Sequence, residues 1–346
     1  MRRVLTFDVP DQTQISSLIT EVTQRQSQPI LFKGAAHSWP IVQAAIHSDE
    51  TFFDYIAQFD ANVPVFACWL AAKYNGRFFY DNSLTKKNFT QSKTTLAEIV
   101  RHLKNQSTAQ QTIAATDTVY MGSTTLEYCL PGLTTHTPFN FAHADSHKHD
   151  SALTSLWLGG KTKIAAHYDV PDNLACVVAG KRHFTLFAPE QIKNLYPGPI
   201  DVTPAGQVVS LVDITDPDFT RFPRYKEAQT HSIVCDVNPG DMLYIPSLWW
   251  HHVEGKSNVN ALINYWWRDT PSHLGMPSDV LTHALLSLAQ LPAHEKAAWQ
   301  SIFDHYIFNS EDKHTHIPND AKGRLAAMNP AQSMALRAEL INLLNK

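Results

Sequence analysis

Residues 163–189 read KIAAHYDVPDNLACVVAGKRHFTLFAP. Two short apolar runs, rich in β-branched and aromatic residues, flank an AGKR turn, and His167 and Asp169 stand at the head of the segment. Runs of this length bounded by Gly, Pro and Asp are strand and turn signals. In an extended chain residues i and i+2 share a face, so His167 and Asp169 point one way and Tyr168 the other. Asn173, four residues past Asp169, has the same parity if the chain stays extended. One imidazole, one carboxylate and one amide then project from one surface.

The same pattern holds from about 118 to 268. TVYMG (118–122), SLWLGG (155–160), QVVSLVD (207–213), SIVCDVNPGDMLYIP (232–246) and NVNALINYWW (258–267) are short strand-like runs separated by turn residues. Together they indicate an all-β barrel or sandwich. Residues 1–110 are mixed: PILFKGAAHSWP (29–40) predicts a strand and a turn, and TTLAEIVRHL (94–103) predicts a helix with Leu96, Ile99, Val100 and Leu103 on its apolar face behind a Thr cap. Beyond Pro271 the spacing becomes helical. Leu281, Leu285 and Leu288 follow Ser278 and end at Pro292; Trp299, Ile302, Phe303, Tyr306 and Ile307 form a second face; Asn329–Pro330 caps a third helix carrying Leu336, Leu340, Ile341, Leu343 and Leu344. A β core at 1–270, with its barrel at about 118–268, and a helical region at 271–346 are the expected domains. Helices this apolar pack on a core or on a second subunit.

Composition narrows the classes of function. With 346 residues, 44% of them hydrophobic, the chain buries a large core. The formal net charge of −4 comes without a long Lys/Arg run, which argues against a nucleic-acid partner. No stretch is apolar for long enough to span a bilayer, and the two N-terminal arginines precede no apolar signal segment. Cys68, Cys129, Cys176 and Cys235 are scattered, without a CxxC pair, and are expected as buried thiols of a reducing, cytoplasmic compartment.

The 18 histidines raise the question of convergence. FNFAHADSHKHDSA (139–152) holds a second His-x-Asp, His143 with Asp145, plus His147 and His149. It lies in polar, turn-rich sequence, without a flanking strand to hold ligands, and is expected to be a solvated or substrate-side loop. YIPSLWWHHVEG (244–255) is different. Adjacent strand residues face opposite ways, so only one of His251 and His252 enters the barrel. His252 shares its side with Glu254 and Lys256, a set suited to solvent, whereas His251 shares its side with Val253. Alternation selects His251 as the inward residue, either a satisfied buried histidine or a third metal ligand beside His167 and Asp169. Trp249 and Trp250 are expected to brace the strand, one in the core and the other on the outer face or under a neighbouring element. Two histidines and one carboxylate on one face of a metal, with the remaining positions open, form the facial triad of non-haem Fe(II) oxygenases.

With these residues in view, the sequence resembles the JmjC-type, cupin-like branch of the 2-oxoglutarate oxygenases, especially the bacterial cupin-like group related to the asparagine hydroxylase that inhibits hypoxia-inducible factor. HYDVPDN (167–173), AGKRHFTLFAPEQIKNLYPGP (179–199), PGDMLYIPSLWWHHVEG (239–255) and NALINYWW (260–267) carry the resemblance. Weaker similarity extends through PILFKGAAHSWP, GRFFYDNSL (76–84), HALLSLAQLP (283–292) and WQSIFDHYIF (299–308).

The resemblance implies a mainly β chain with helices, built on a double-stranded β-helix, or jelly roll. It implies Fe(II) held by His167, Asp169 and His251, and 2-oxoglutarate as co-substrate. Asn173 matches a residue that holds the metal-bound end of the site, Asn264 and Trp266 match pocket-lining residues, and Tyr120 matches a tyrosine that hydrogen-bonds the distal carboxylate. Two positions depart. Relatives often place Lys where this chain has Arg182, which still grips a carboxylate but with a different reach. Relatives often carry Thr or Ser where this chain has Ile164, which removes one hydrogen bond to the co-substrate. The expected activity is hydroxylation of a C–H bond, on a protein or peptide side chain; a small metabolite or RNA base as substrate, and a non-catalytic metal-binding cupin, are the alternatives. Pairing of two subunits through the C-terminal helices is expected as well.

Overall fold

The computed structural model describes residues 1–9, 18, 21, 27–109, 117–137, 139, 152–268, 270–308 and 314–345. The chain divides into two compact units, Met1–Arg268 and Asp269–Lys346. In the first unit the described strands are β1 (Arg2–Arg3), β2 (Leu5–Asp8), β3 (Ile30–Lys33), β4 (Val65–Leu70), β5 (Arg77–Phe78), β6 (Thr90–Thr94), β7 (Thr118–Thr125), β8 (Leu153–Gly159), β9 (Lys163–Tyr168), β10 (Asp172–Ala179), β11 (Arg182–Phe187), β12 (Ile233–Val237), β13 (Met242–Ile245), β14 (Trp250–Gly255) and β15 (Asn260–Trp267).

They form two sheets, of order β2-β3-β13-β10-β15-β8-β7-β4-β6 and β1-β12-β11-β14-β9-β5. From β8 to β15 the chain crosses between sheets at every step but one, leaving β8-β15-β10-β13 opposite β9-β14-β11-β12. All pairings within these two quartets are antiparallel. This winding is the double-stranded β-helix, so the expected fold class is observed.

Three apolar layers follow from strand parity. Ala175, Val177, Leu243, Ile245 and Leu262 of one sheet meet Phe184, Leu186, Val237 and Val253 of the other in the interior. On the far face of the larger sheet, Leu174, Cys176, Val178, Leu156, Leu158 and Ile263 pack beneath the helices Pro40–His47, Asp49–Ala57 and Leu96–Ala109. On the far face of the smaller sheet, Ala166, Phe187 and Trp250 pack against Leu195, Val212, Phe222 and Tyr225. Strands covered on both faces are apolar at every position, which is why LACVVA does not alternate.

Local expectations fare unevenly. PILFKGAAHSWP is strand β3 and a turn, and the helix after Thr95 buries Leu96, Ile99 and Leu103, with the Thr95 hydroxyl accepting the N–H of Glu98 at 3.2 Å. QVVSLVD is not a strand: isolated bridges, Gln207 to Ala205, Val209 to His167 and Ser210 to Pro197, stand in place of a ladder. The larger correction concerns His252. It does face away from the interior, but it is buried, at 4% exposure, because the excursion between β11 and β12 covers that face. Alternation tells which side a residue takes and not what lies there. The tryptophans divide as expected: Trp249 joins the interior layer and donates its indole N–H to the Ser27 carbonyl at 2.9 Å, while Trp250 is buried in the outer one.

The second unit holds helices Pro277–Ser287, Ala293–Phe303 and Pro330–Leu344, with a wider turn at Asp304–Phe308. Asn329 caps the last through a reciprocal box with Gln332. Ser278 lies inside the first helix, which Pro277 opens behind Met276; that helix ends at Ser287 with Leu288 as its C-cap, short of Pro292, which is the N-cap of the second helix. Many large apolar side chains here stand exposed, including Leu281, Leu285, Leu286, Phe308, Ile341 and Leu344. Among the described residues no helix is long and apolar enough to cross a membrane.

Candidate metal centre and cavity

His167 lies near the end of β9 and His251 near the start of β14, and antiparallel pairing sets them directly opposite. The register then slips, so that Val253 faces Ile164, an irregularity of the kind that re-aims side chains beside active sites. Asp169 follows β9 by one residue, and its carbonyl accepts the N–H of Leu248 at 2.8 Å. Leu248 holds φ at 65°, a left-handed conformation that is costly for a branched residue and here delivers the chain into β14.

Both imidazoles are oriented by the same local device. His167 Nδ1 is 2.9 Å from the Ala165 carbonyl and His251 Nδ1 is 3.0 Å from the Trp249 carbonyl, two residues back in each case. A carbonyl only accepts, so Nδ1 carries the proton and each Nε2 presents a lone pair. One ligand atom from each of His167, Asp169 and His251 lies within 4.8 Å of the others, and His251 Nε2 is 3.5 Å from Asp169 Oδ2. Burial, reinforced by His251 beside it, pushes the His167 imidazole down to about 4. The ring is therefore neutral at physiological pH, the state a metal ligand needs. Two aligned imidazole lone pairs and one carboxylate, the imidazoles buried and Asp169 half-buried, fit a first-row divalent metal.

The three side chains open into one cavity of about 280 Å³. Tyr120, Asn173, Arg182, Asn264 and Trp266 all line it, so every site residue named from the sequence comes to one place. Arg182 enters through the turn at Gly180, whose φ is 68° and where a Cβ would stand 2.1 Å from the Val259 carbonyl oxygen. Only glycine fits there. Arg182 is 4% exposed, and its Nη2 donates to the Trp157 carbonyl at 3.4 Å. Burial lowers the Arg182 pKa and raises that of Tyr120, each partner opposing the other's shift. Arg182 Nε and Trp266 Nε1 are buried without a hydrogen-bond partner among the described residues, two orphaned donors in one cavity wall. Buried donors left unpaired, the one on Arg182 cationic, are costly unless a ligand satisfies them, and an anionic oxygen ligand fits.

Asn173 reaches the cavity by another route than parity. The chain bends after Asp169 and Asn173 falls on β10, in the opposite sheet, where Asn264 Nδ2 lies 3.5 Å from its Oδ1. Several lining residues were not foreseen: Trp157 on β8, Phe78 on β5, Phe66 and Cys68 on β4, Phe89, and Gln91 on β6. Trp157 left one visible signal, a tryptophan just before the GG of SLWLGG. Phe66, Cys68 and Gln91 come from strands with no motif, brought in because β4 and β6 extend the larger sheet past β7, whereas Phe78 enters from β5 at the edge of the smaller sheet. The His143–His149 cluster lies outside the described residues.

Comparison with known proteins agrees with this geometry. Residues 16–273 match the cupin-like domain family. The chain is 32% identical to human HSPB1-associated protein 1 over 149 residues, which are 42% of this chain and 30% of that protein. It is 34% identical to JmjC domain-containing protein D of Dictyostelium discoideum over 114 residues, 33% of this chain and 25% of the relative. It is also 30% identical to human tRNA wybutosine-synthesizing protein 5 over 141 residues, 36% of this chain and 42% of the relative. Each match spans less than half of the relative's length. A jelly-roll core with two histidines and an aspartate gathered at one cavity, in a sequence matched over most of its length, places the chain in the cupin-like domain family, in its JmjC-type branch.

Proposed function

We propose that this protein is an Fe(II)- and 2-oxoglutarate-dependent oxygenase that hydroxylates a C–H bond on a protein or peptide side chain. The observation that supports it best is one cavity holding both a three-ligand metal cluster and a buried arginine with an unsatisfied donor. His167, Asp169 and His251 would hold the iron. Arg182 and Tyr120 would take the distal carboxylate of 2-oxoglutarate, with Asn173 and Asn264 along its length. Loaded in this way, the pair supplies oxidation of an unactivated C–H bond by dioxygen, coupled to decarboxylation of 2-oxoglutarate to succinate.

The protein's own part is orientation and exclusion of water. The two carbonyl-tethered imidazoles keep their lone pairs aligned before any metal arrives. Phe78, Phe184, Trp157, Trp266, Val253 and Leu262 make the cavity wall apolar, which strengthens the grip of Arg182 on a carboxylate. Ile164 lines the cavity without a hydrogen-bonding group, so Arg182 and Tyr120 carry the polar contact at that end.

A second substrate class, an RNA base, draws support from the similarity to a tRNA wybutosine-synthesizing protein. The exposed apolar side chains of the second unit support pairing of two copies through the C-terminal helices, and four free cysteines fit a cytoplasmic setting.

Anaerobic titration of the Fe(II) protein with 2-oxoglutarate tests the reading. A metal-to-ligand charge-transfer band, followed in air by succinate release, is expected. Absence of both leaves a metal-binding cupin without turnover.

A further inference from the structure

One residue, Trp157, meets Asn264, Tyr120 and Arg182 of the proposed co-substrate clamp. Trp157 and Asn264 are diagonal neighbours on β8 and β15, where Trp157 pairs with Leu262 and Ser155 with Asn264. The indole N–H donates to Asn264 Oδ1 at 2.7 Å. An indole only donates, so this bond decides which way the Asn264 amide is turned, a choice an asparagine side chain otherwise leaves open. Asn264 Nδ2 is thereby directed at Asn173 Oδ1, 3.5 Å away, and the Asn173 Nδ2 donors are left without a protein partner among the described residues. The Trp157 carbonyl receives Arg182 Nη2 at 3.4 Å. Its ring lies 6.2 Å from the Tyr120 ring and stands edge-on to Trp266 at 5.7 Å. Space for these rings is built in: a Cβ at Gly122 would stand 3.4 Å from Trp157 Cζ3, and one at Gly159 would stand 2.9 Å from Tyr120 Cδ2.

We propose that Trp157 is the positioning residue of the co-substrate subsite, setting the Asn264–Asn173 amide pair through its N–H and holding Tyr120 and Arg182 through its ring and carbonyl. The proposal rests on the oxygenase reading. Among the described residues no hydrogen bond or ring pair joins Trp157 to His167, Asp169 or His251, so its influence falls on the organic co-substrate and not on the metal.

Calorimetry on Mn(II)-loaded protein, with 2-oxoglutarate as titrant, separates the possibilities. Trp157→Phe keeps an aromatic side chain but removes the N–H together with the five-membered half of the indole; it should weaken 2-oxoglutarate binding about tenfold, the scale of one buried hydrogen bond, with Mn(II) affinity unchanged. Asn264→Ala should weaken it at least as much. Because the N–H acts through Asn264, the double variant should bind no worse than Asn264→Ala alone. Wild-type affinity in Trp157→Phe, or losses that multiply in the double variant, would overturn the proposal while leaving the oxygenase reading standing. A Mn(II)-loaded wild-type protein that binds no 2-oxoglutarate would overturn both.

Discussion

His251 and His167 face each other across the β9–β14 pair with ring centroids 4.4 Å apart. Each is tethered through Nδ1 to the carbonyl two residues before it, so one backbone device is used twice, once on each strand. The pair is preorganised by secondary structure itself, and Asp169 completes the cluster from just beyond the strand end.

The doubled histidine should therefore behave asymmetrically. His251→Ala is expected to lower divalent metal affinity by more than about a hundredfold, since a lost ligand costs more than a lost outer partner. His252→Ala should leave metal affinity within severalfold, because the ring is buried on the far face of the sheet, away from the cavity. Metal titration of both variants checks this, and equal metal loss in the two would refute the division.

Arg182 trades stability for ligand binding. Its guanidinium is buried with Nε unsatisfied, so Arg182→Met should leave the ligand-free protein as stable as wild type or more so. The same change should weaken 2-oxoglutarate binding about a hundredfold, the scale of a charge-assisted hydrogen bond. Melting curves with and without 2-oxoglutarate read both effects; a variant still stabilised by the co-substrate would count against the clamp.

Cys68 lines the cavity, where burial, partly opposed by Lys87, pushes its thiol up to about 11. Below that value the protonated, unreactive form dominates. Alkylation of Cys68 by iodoacetamide should thus climb about tenfold per pH unit from pH 7 to beyond 9, as only the thiolate attacks. A rate that levels near pH 8.5, followed by mass spectrometry of the labelled peptide, would show an ordinary thiol.

If the C-terminal helices pair two copies, charged side chains at Leu281, Leu285 and Ile341, all exposed, should convert a dimer into a monomer without changing metal affinity. Sedimentation of the full-length triple variant measures it, and a persisting dimer would place the interface elsewhere.

Much of the site was legible because its residues sit on or beside strands with strong signals. Period-2 parity selects His251 over His252, and the AGKR turn positions Arg182 at the head of β11. What was not legible depends on covering layers and sheet neighbours. His252 was expected in solvent beside Glu254, and only the excursion packed over that face buries it. Asn173 was expected to follow Asp169 along one extended face, whereas it enters from the opposite sheet. Phe66, Cys68 and Gln91 carry no motif and join the cavity only through the order β7-β4-β6.

The sequence by itself determined most of the strand pattern, QVVSLVD excepted, the inward histidine and a candidate two-histidine, one-carboxylate set, because side-chain direction alternates in any extended chain. Tertiary structure alone decided what each outward face meets, and that Trp157 ties Tyr120, Arg182 and Asn264 together. Those relations join residues as far apart as 157 and 264. They arise from how two sheets and their covering layers close around an apolar interior, which no local periodicity encodes.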